Sequence, residues 1–125
     1  MDENKILPYD QVEAIVSEAR FRASGDINHV YLYNREKNRQ FMYDNNLNMH
    51  DLRNCLYRLR IEDYSHTSYE TGKKEAHVFS SDIYGLDIYL KFQLLEDVLY
   101  ITVLSFHAPQ LGDLDHPYRP KKGDH

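Results

Sequence analysis

The chain has 125 residues and a formal net charge of −5. That is enough for one domain without disulfides or metal, since a chain of this size buries roughly two thirds of its unfolded surface. The acidic balance excludes a general attraction to nucleic acid. The charged start, Met1-Asp2-Glu3-Asn4-Lys5, and the single cysteine argue against a signal peptide and for a cytoplasmic protein, and no apolar run approaches membrane-spanning length.

Residues 1–125 read as a single domain. The first predicted element is a helix over 9–23. Asp10 is its expected N-cap, Glu13 stands at capping-box spacing, and Tyr9 and Ala14 stand where a hydrophobic staple would. Val12, Ile15, Val16 and Ala19 recur at helical spacing and form one apolar stripe. Gly25 ends the region, 26–28 is a turn, and the aromatic-rich run 29–33 reads as a strand. A second short helix is expected within 34–45. Asn48 is a good N-cap, with Asp51 at the third helical position, for a helix over 49–59. Leu52, Cys55, Leu56 and Leu59 form its core stripe, so Cys55 reads as a packed small hydrophobe rather than a nucleophile. Arg53, Arg58 and Arg60 lie off that stripe. The stretch 35–60 carries six basic and three acidic residues, a positive segment in an acidic chain.

The polar run 65–75, with Gly72-Lys73-Lys74 at its tip, reads as an exposed loop. A strand is expected over 76–81. From Leu86 to Leu94 apolar and polar residues alternate without a break, the period of a strand with one buried face. The run 98–106 is apolar on both parities and reads as a more interior strand. Leu95, Glu96 and Asp97 form the expected turn. A three-residue turn pairs Leu94 with Val98 and sets Tyr89 opposite Val103. Tyr89, Lys91, Ser105 and His107 then share an open face, while Leu86, Ile88, Leu90, Phe92, Leu94, Leu104 and Phe106 share the buried one. A two-residue turn reverses this and puts His107 beside Leu90 in the core. The first register leaves Leu99, Ile101 and Val103 on the open face, a cost unless a helix or the tail covers them; a bulge would also reset the parity midway. After His107, 108–125 is a proline- and glycine-containing surface tail. The order α, β, α, α, β, β, β defines an α+β domain with helices packed on a small antiparallel sheet.

The chain lacks a Gly-rich phosphate loop, a Gly-x-Ser-x-Gly elbow and a Cys-x-x-Cys pair. Its seven histidines include no His-x-x-x-His pair; His66, His77, His107 and His116 are the ones with a chance to converge in space.

Asn-Leu-Asn-Met-His-Asp-Leu, from Asn46 to Leu52, Leu-Arg-Ile-Glu-Asp-Tyr, from Leu59 to Tyr64, the strand Ile-Tyr-Gly-Leu-Asp-Ile-Tyr-Leu-Lys and the closing Ser-Phe-His of Ser105 to His107 together resemble the MqsR family of messenger-RNA-cleaving toxins, whose fold is RelE-like. His-Pro-Tyr-Arg-Pro at 116–120 is similar to the Tyr-Pro-Tyr ending of some members. The resemblance implies a toxin of a type II toxin–antitoxin pair. It would cleave messenger RNA on the open sheet face by transphosphorylation, without metal or cofactor, and be held by a cognate antitoxin protein. Tyr89 matches the family's catalytic tyrosine. His107 stands where characterised members have a lysine, His66 lies near a second family lysine, and Ser80 lies near a family glutamine. The implied roles are base or acid for His107, its partner for His66, cation for Lys91 and phosphate donor or stacking ring for Tyr89. Arg53, Arg58, Arg60, Lys73 and Lys74 would meet the RNA backbone. The alternative is a non-catalytic inhibitor of a mobile element, anti-CRISPR-like, whose acidic, tyrosine-rich surface blocks a nucleic-acid-processing enzyme.

Overall fold

The computed structural model describes residues 4–70, 74–96, 99–110 and 114–120. Within them the chain forms three α-helices and a six-stranded, mostly antiparallel sheet. The strands are β1 (Asn4–Lys5), β2 (Val30–Leu32), β3 (Tyr64–Glu70), β4 (Lys74–Ile83), β5 (Leu86–Leu94) and β6 (Ile101–His107). They lie in the order β1-β3-β4-β5-β6-β2. The neighbours from β1 to β6 pair antiparallel, and β2 joins the β6 edge in parallel. Among the described residues no helix is long and apolar enough to cross a membrane.

The helices are α1 (Tyr9–Ala23), α2 (Glu36–Asp44) and α3 (Met49–Tyr57). All three pack on one face of the sheet. Val12, Val16 and Ala19 of α1 and Leu52, Cys55 and Leu56 of α3 join Phe79, Ile88, Leu90, Phe92 and Phe106 in one core cluster. Phe41 of α2 meets Phe106 edge-on, with ring centroids 5.6 Å apart. The Asn48 side chain accepts from His50 N and Asp51 N, and the Asp51 carboxylate accepts from Asn48 N, so α3 carries the capping box its sequence implies. α1 does not use Asp10 as its cap. Its N-cap is Pro8, with no side-chain cap, and Asp10 lies in the first turn, where its charge suits the helix dipole.

Two more expectations need correction. The run 65–75 is not an exposed loop but most of the β3–β4 hairpin, apart from residues outside those described. Its Ser65, Thr67 and Ser68 are buried, whereas Lys74 and Glu75 are exposed; Thr67 Oγ1 is satisfied by Tyr64 Oη at 2.8 Å and His77 Nδ1 at 2.9 Å, two residues that flank the run. Leu94 pairs with Ile101 rather than Val98, and Tyr89 with His107 rather than Val103. The β5–β6 connection is therefore longer than three residues. Buried Arg22 of α1 holds it by donating to the carbonyls of Leu95 and Tyr100, both at 2.9 Å. The described tail residues 114–120 are half-buried to exposed and are anchored to the fold. Tyr118 stacks on Tyr64, meets Tyr9 edge-on and donates to the Leu7 carbonyl, and Arg119 pairs with Asp63 at 3.2 Å.

Candidate functional site

Residues paired across an antiparallel ladder point to the same face, so the register alone lays out the sheet surface opposite the helices. One row reads His66, Val78, Lys91, Ser105, and the next reads Ser80, Tyr89, His107. The core row between them is Tyr64, Phe79, Leu90, Phe106. Tyr89, Lys91, Ser105 and His107 thus share one face, Tyr89 and Lys91 by the alternation of β5, and His107 and the buried Ser105 through a register other than the expected one.

Two one-residue bulges create this surface. Tyr64 pairs with Phe79 but His66 with Val78, which leaves Ser65 as an extra residue in β3. Without it, Tyr64 and His66 would share the core face. In β6 Lys91 pairs with Ser105 but Phe92 with Val103, so Leu104 is the extra residue. Ile101 and Val103 therefore enter the core, where both are fully buried, while Ser105 and His107 reach the opposite face. A bulge shifts parity and re-aims the side chains beyond it, and bulges recur beside functional sites. Each has local support. The hydroxyl of Ser65 hydrogen-bonds His66 Nδ1 at 2.9 Å. The Asn38 carboxamide donates to the carbonyl of Leu104 at 3.1 Å and accepts from Phe106 N at 3.0 Å.

The rings of Tyr89 and His107 stack, with centroids 5.3 Å apart and planes 9° from parallel. His107 Nδ1 lies 2.8 Å from the Ala108 carbonyl. A carbonyl only accepts, so Nδ1 carries the proton and the neutral ring keeps its basic lone pair on Nε2. Burial, with the charge of Lys91 as the second cause, pushes the pKa of His66 below its ordinary value. His116, on the tail, places Nε2 2.9 Å from Ser80 Oγ. Burial and then Arg119 lower its pKa, against the carboxylates of Asp63 and Asp87.

The expected site residues are not all brought together. Tyr89 and His107 touch, and Lys91 is near enough to His66 to affect its charge. His66 and His107 are separated by three strand spacings and one row. At about 4.8 Å per strand and 3.4 Å per residue they stand about 16 Å apart at the backbone. His77 faces the core side and is buried, so the four histidines do not converge. Among the described residues no cluster of three or more His, Cys, Asp or Glu is placed to hold a metal. Arg53 and Arg58 belong to the helical layer, on the other side of the sheet from Tyr89. Arg53 donates to the Ala23 carbonyl at 2.6 Å and so caps the end of α1. Arg60 pairs with Asp63 at 3.3 Å and reaches the rim of a cleft of about 540 Å³ beside Ser80 and His116. Lys74 is exposed at the start of β4; Lys73 lies outside the described residues. Cys55 is in the core, and burial pushes its thiol up to about 11, which suits packing and not nucleophilic attack.

Sequence reasoning named His116 only among four histidines with a chance to converge and gave it no catalytic role; only the path of the tail sets it against Ser80. Two layers, with helices on one face and a histidine-, lysine- and tyrosine-bearing sheet on the other, define an α+β domain with one chemically equipped sheet face. In comparisons with known proteins, no family model, no curated protein and no solved structure matches the chain.

Proposed function

We propose that this chain is a metal-independent endoribonuclease of the RelE-like, MqsR kind: a cytoplasmic messenger-RNA-cleaving toxin with a cognate antitoxin protein as its partner. The observation that carries this reading is the pair of bulges, at Ser65 and Leu104, which turn His66 and His107 onto the face that bears Tyr89 and Lys91. In regular ladders His66 would share a face with Tyr64, and His107 with Ile101 and Val103, so neither histidine would leave the core face while those side chains fill it.

Transphosphorylation needs a base for the ribose 2′-hydroxyl, an acid for the leaving 5′-oxygen and positive charge for the phosphoryl oxygens. His107 is suited to be the base, because its Nδ1–H is tied to the Ala108 carbonyl and its free lone pair is on Nε2. Lys91 is the cation nearest the centre of the face, and the Tyr89 ring is a surface for a base or a donor to phosphate. His66, about 16 Å from His107 by strand spacing, contacts RNA further along the strand rather than sharing the same phosphate.

The test is incubation of the purified chain with long RNA in EDTA, with gel and end-group analysis. Fragments ending in 2′,3′-cyclic phosphate are expected. His107→Ala should slow cleavage about 10²–10⁴-fold, the usual contribution of one acid–base group. Intact RNA with the parent chain, or equal cleavage by the variant, counts against the reading.

A second reading, the non-catalytic inhibitor, has one specific observation behind it. Arg53 is engaged inside the fold and Arg60 is paired with a carboxylate, which weakens the positive surface that RNA needs. Tight binding to a nucleic-acid-processing enzyme, without RNA cleavage, would favour it.

A further inference from the structure

We infer that Ser80 and His116 deliver the proton to the leaving oxygen when RNA is cleaved on this face, with Ser80 touching that oxygen and His116 as the proton source behind it. This rests on the ribonuclease reading and adds the acid which that reading lacks. It also sets the direction of the RNA: the nucleotide before the cut lies toward His107, the nucleotide after it toward His116.

The argument is positional. Ser80, Tyr89 and His107 form one row across three adjacent strands. Ser80 and His107 are two strand spacings apart, about 10 Å at the backbone, with Tyr89 between them. Side chains leaning inward from that separation can serve the two sides of one phosphate. His66 would have to span about 16 Å by the same measure. His116 Nε2 is 2.9 Å from Ser80 Oγ, and the segment carrying it is anchored just beyond it. Tyr118 packs against Tyr64 and Tyr9, and Arg119 pairs with Asp63. A hydroxyl donates one hydrogen bond while accepting others. Ser80 can therefore take a proton from His116 as it gives up its own. The cleft beside it, about 540 Å³ and lined by Arg60, Asp82, Asp87, His116 and Arg119, has room for the nucleotide that leaves.

The step balances. Nε2 of neutral His107 takes the proton of the 2′-hydroxyl, and the 2′-oxygen forms a bond to phosphorus. The bond from phosphorus to the 5′-oxygen breaks. The 5′-oxygen takes the hydroxyl proton of Ser80, and Ser80 takes the Nε2 proton of protonated His116, a form that burial and Arg119 confine to the acid side of the ordinary histidine range. The products are a 2′,3′-cyclic phosphate, a free 5′-hydroxyl, protonated His107 and neutral His116.

The test uses the full chain and two RNA oligonucleotides spanning a mapped cut. One is ordinary; the other has sulfur in place of the 5′-oxygen that leaves. A thiolate leaves without a proton, so the sulfur substrate bypasses the acid. His116→Ala and Ser80→Ala are expected to slow the ordinary substrate at least about 100-fold and to cleave the sulfur substrate within a few-fold of the parent. His107→Ala should slow both. Cleavage of the sulfur substrate also serves as the control that each variant is folded. Equal slowing of both substrates by His116→Ala, or slowing of neither, overturns the inference while leaving the ribonuclease reading in place. Absence of cleavage by the parent chain overturns both.

Discussion

Asn38 is fully buried, and its side chain supplies hydrogen bonds that a neighbouring strand would otherwise make. β2 pairs with β6 only as far as Val103. Beyond it, the Asn38 amide donates to the carbonyls of Tyr33 and Leu104 and accepts from Phe106 N. Replacement by alanine leaves buried backbone groups unpaired. Asn38→Ala should therefore cost about 2–6 kcal/mol in denaturant unfolding, at about 1–3 kcal/mol for each of the two buried groups left unpaired, the Leu104 carbonyl and Phe106 N. A loss near zero would mean that water replaces the amide. His77 is also buried, with Thr67 Oγ1 at 2.9 Å and Phe92 edge-on beside it. Burial lowers its pKa from 6.5 to about 4. The unfolded chain thus takes up a proton at a higher pH than the folded one. Stability from this group is constant above pH 6.5 and falls as the pH drops from 6.5 toward 4, by at most about 3 kcal/mol at 1.36 kcal/mol per unit. Unfolding free energies of the parent and of His77→Gln across this range should converge at low pH. Parallel curves would show that His77 does not contribute to the pH dependence.

At the scale of the element, β5 divides its functions by parity. Ile88, Leu90 and Phe92 are fully buried, while Tyr89 and Lys91 are half-exposed on the opposite face. Leu90→Ala should cost about 2–5 kcal/mol, from lost transfer energy and the cavity left behind. Tyr89→Ala should cost about 1 kcal/mol or less, since Tyr89 is only half-buried and stacks on the half-buried His107. Equal losses in chemical denaturation would mean that the Tyr89 face is packed as tightly as the core. The two bulged strands show why sidedness is not a property of one strand alone. Residues 64 and 66, or 103 and 105, have the same parity and would share a face in a regular ladder. The extra residue between them, Ser65 or Leu104, separates their faces.

The whole molecule is closed by the tail. Tyr118 comes back to Leu7, Tyr9 and Tyr64, residues at the other end of the sequence and at the start of β3. The contact ties the entry to α1 to the edge of the sheet and holds His116 on Ser80. Tyr118→Ala should lower stability by about 1–3 kcal/mol, the usual range for losing a partly buried aromatic contact. It should also weaken protection of the Leu7 and Tyr64 amides in hydrogen exchange. Unchanged protection there would show that the tail lies on the surface without supporting it.

The elements were legible in the sequence wherever their stabilising pattern is local. The apolar stripes of α1 and α3, the Asn48 cap and the alternation of β5 depend on residues a few positions apart, and each is read without knowledge of the fold. The common face of Tyr89, Lys91, Ser105 and His107 was also within reach, because packing Leu90 and Phe106 together leaves little other choice. What tertiary structure alone decided depends on partners far along the chain. Asn38 meets the β6 bulge across 66 or more positions of sequence, and Arg22 holds the β5–β6 connection across more than 70. The polar strand around Thr67 is buried because His77 and Tyr64 complete its hydrogen bonds. His116 reaches Ser80 only because Tyr118 packs on the sheet. Backbone and polar groups must be satisfied when buried, but the sequence does not show which distant group will do it. The register, the positions of the two bulges and the contact of His116 with Ser80 therefore became visible only in the folded chain.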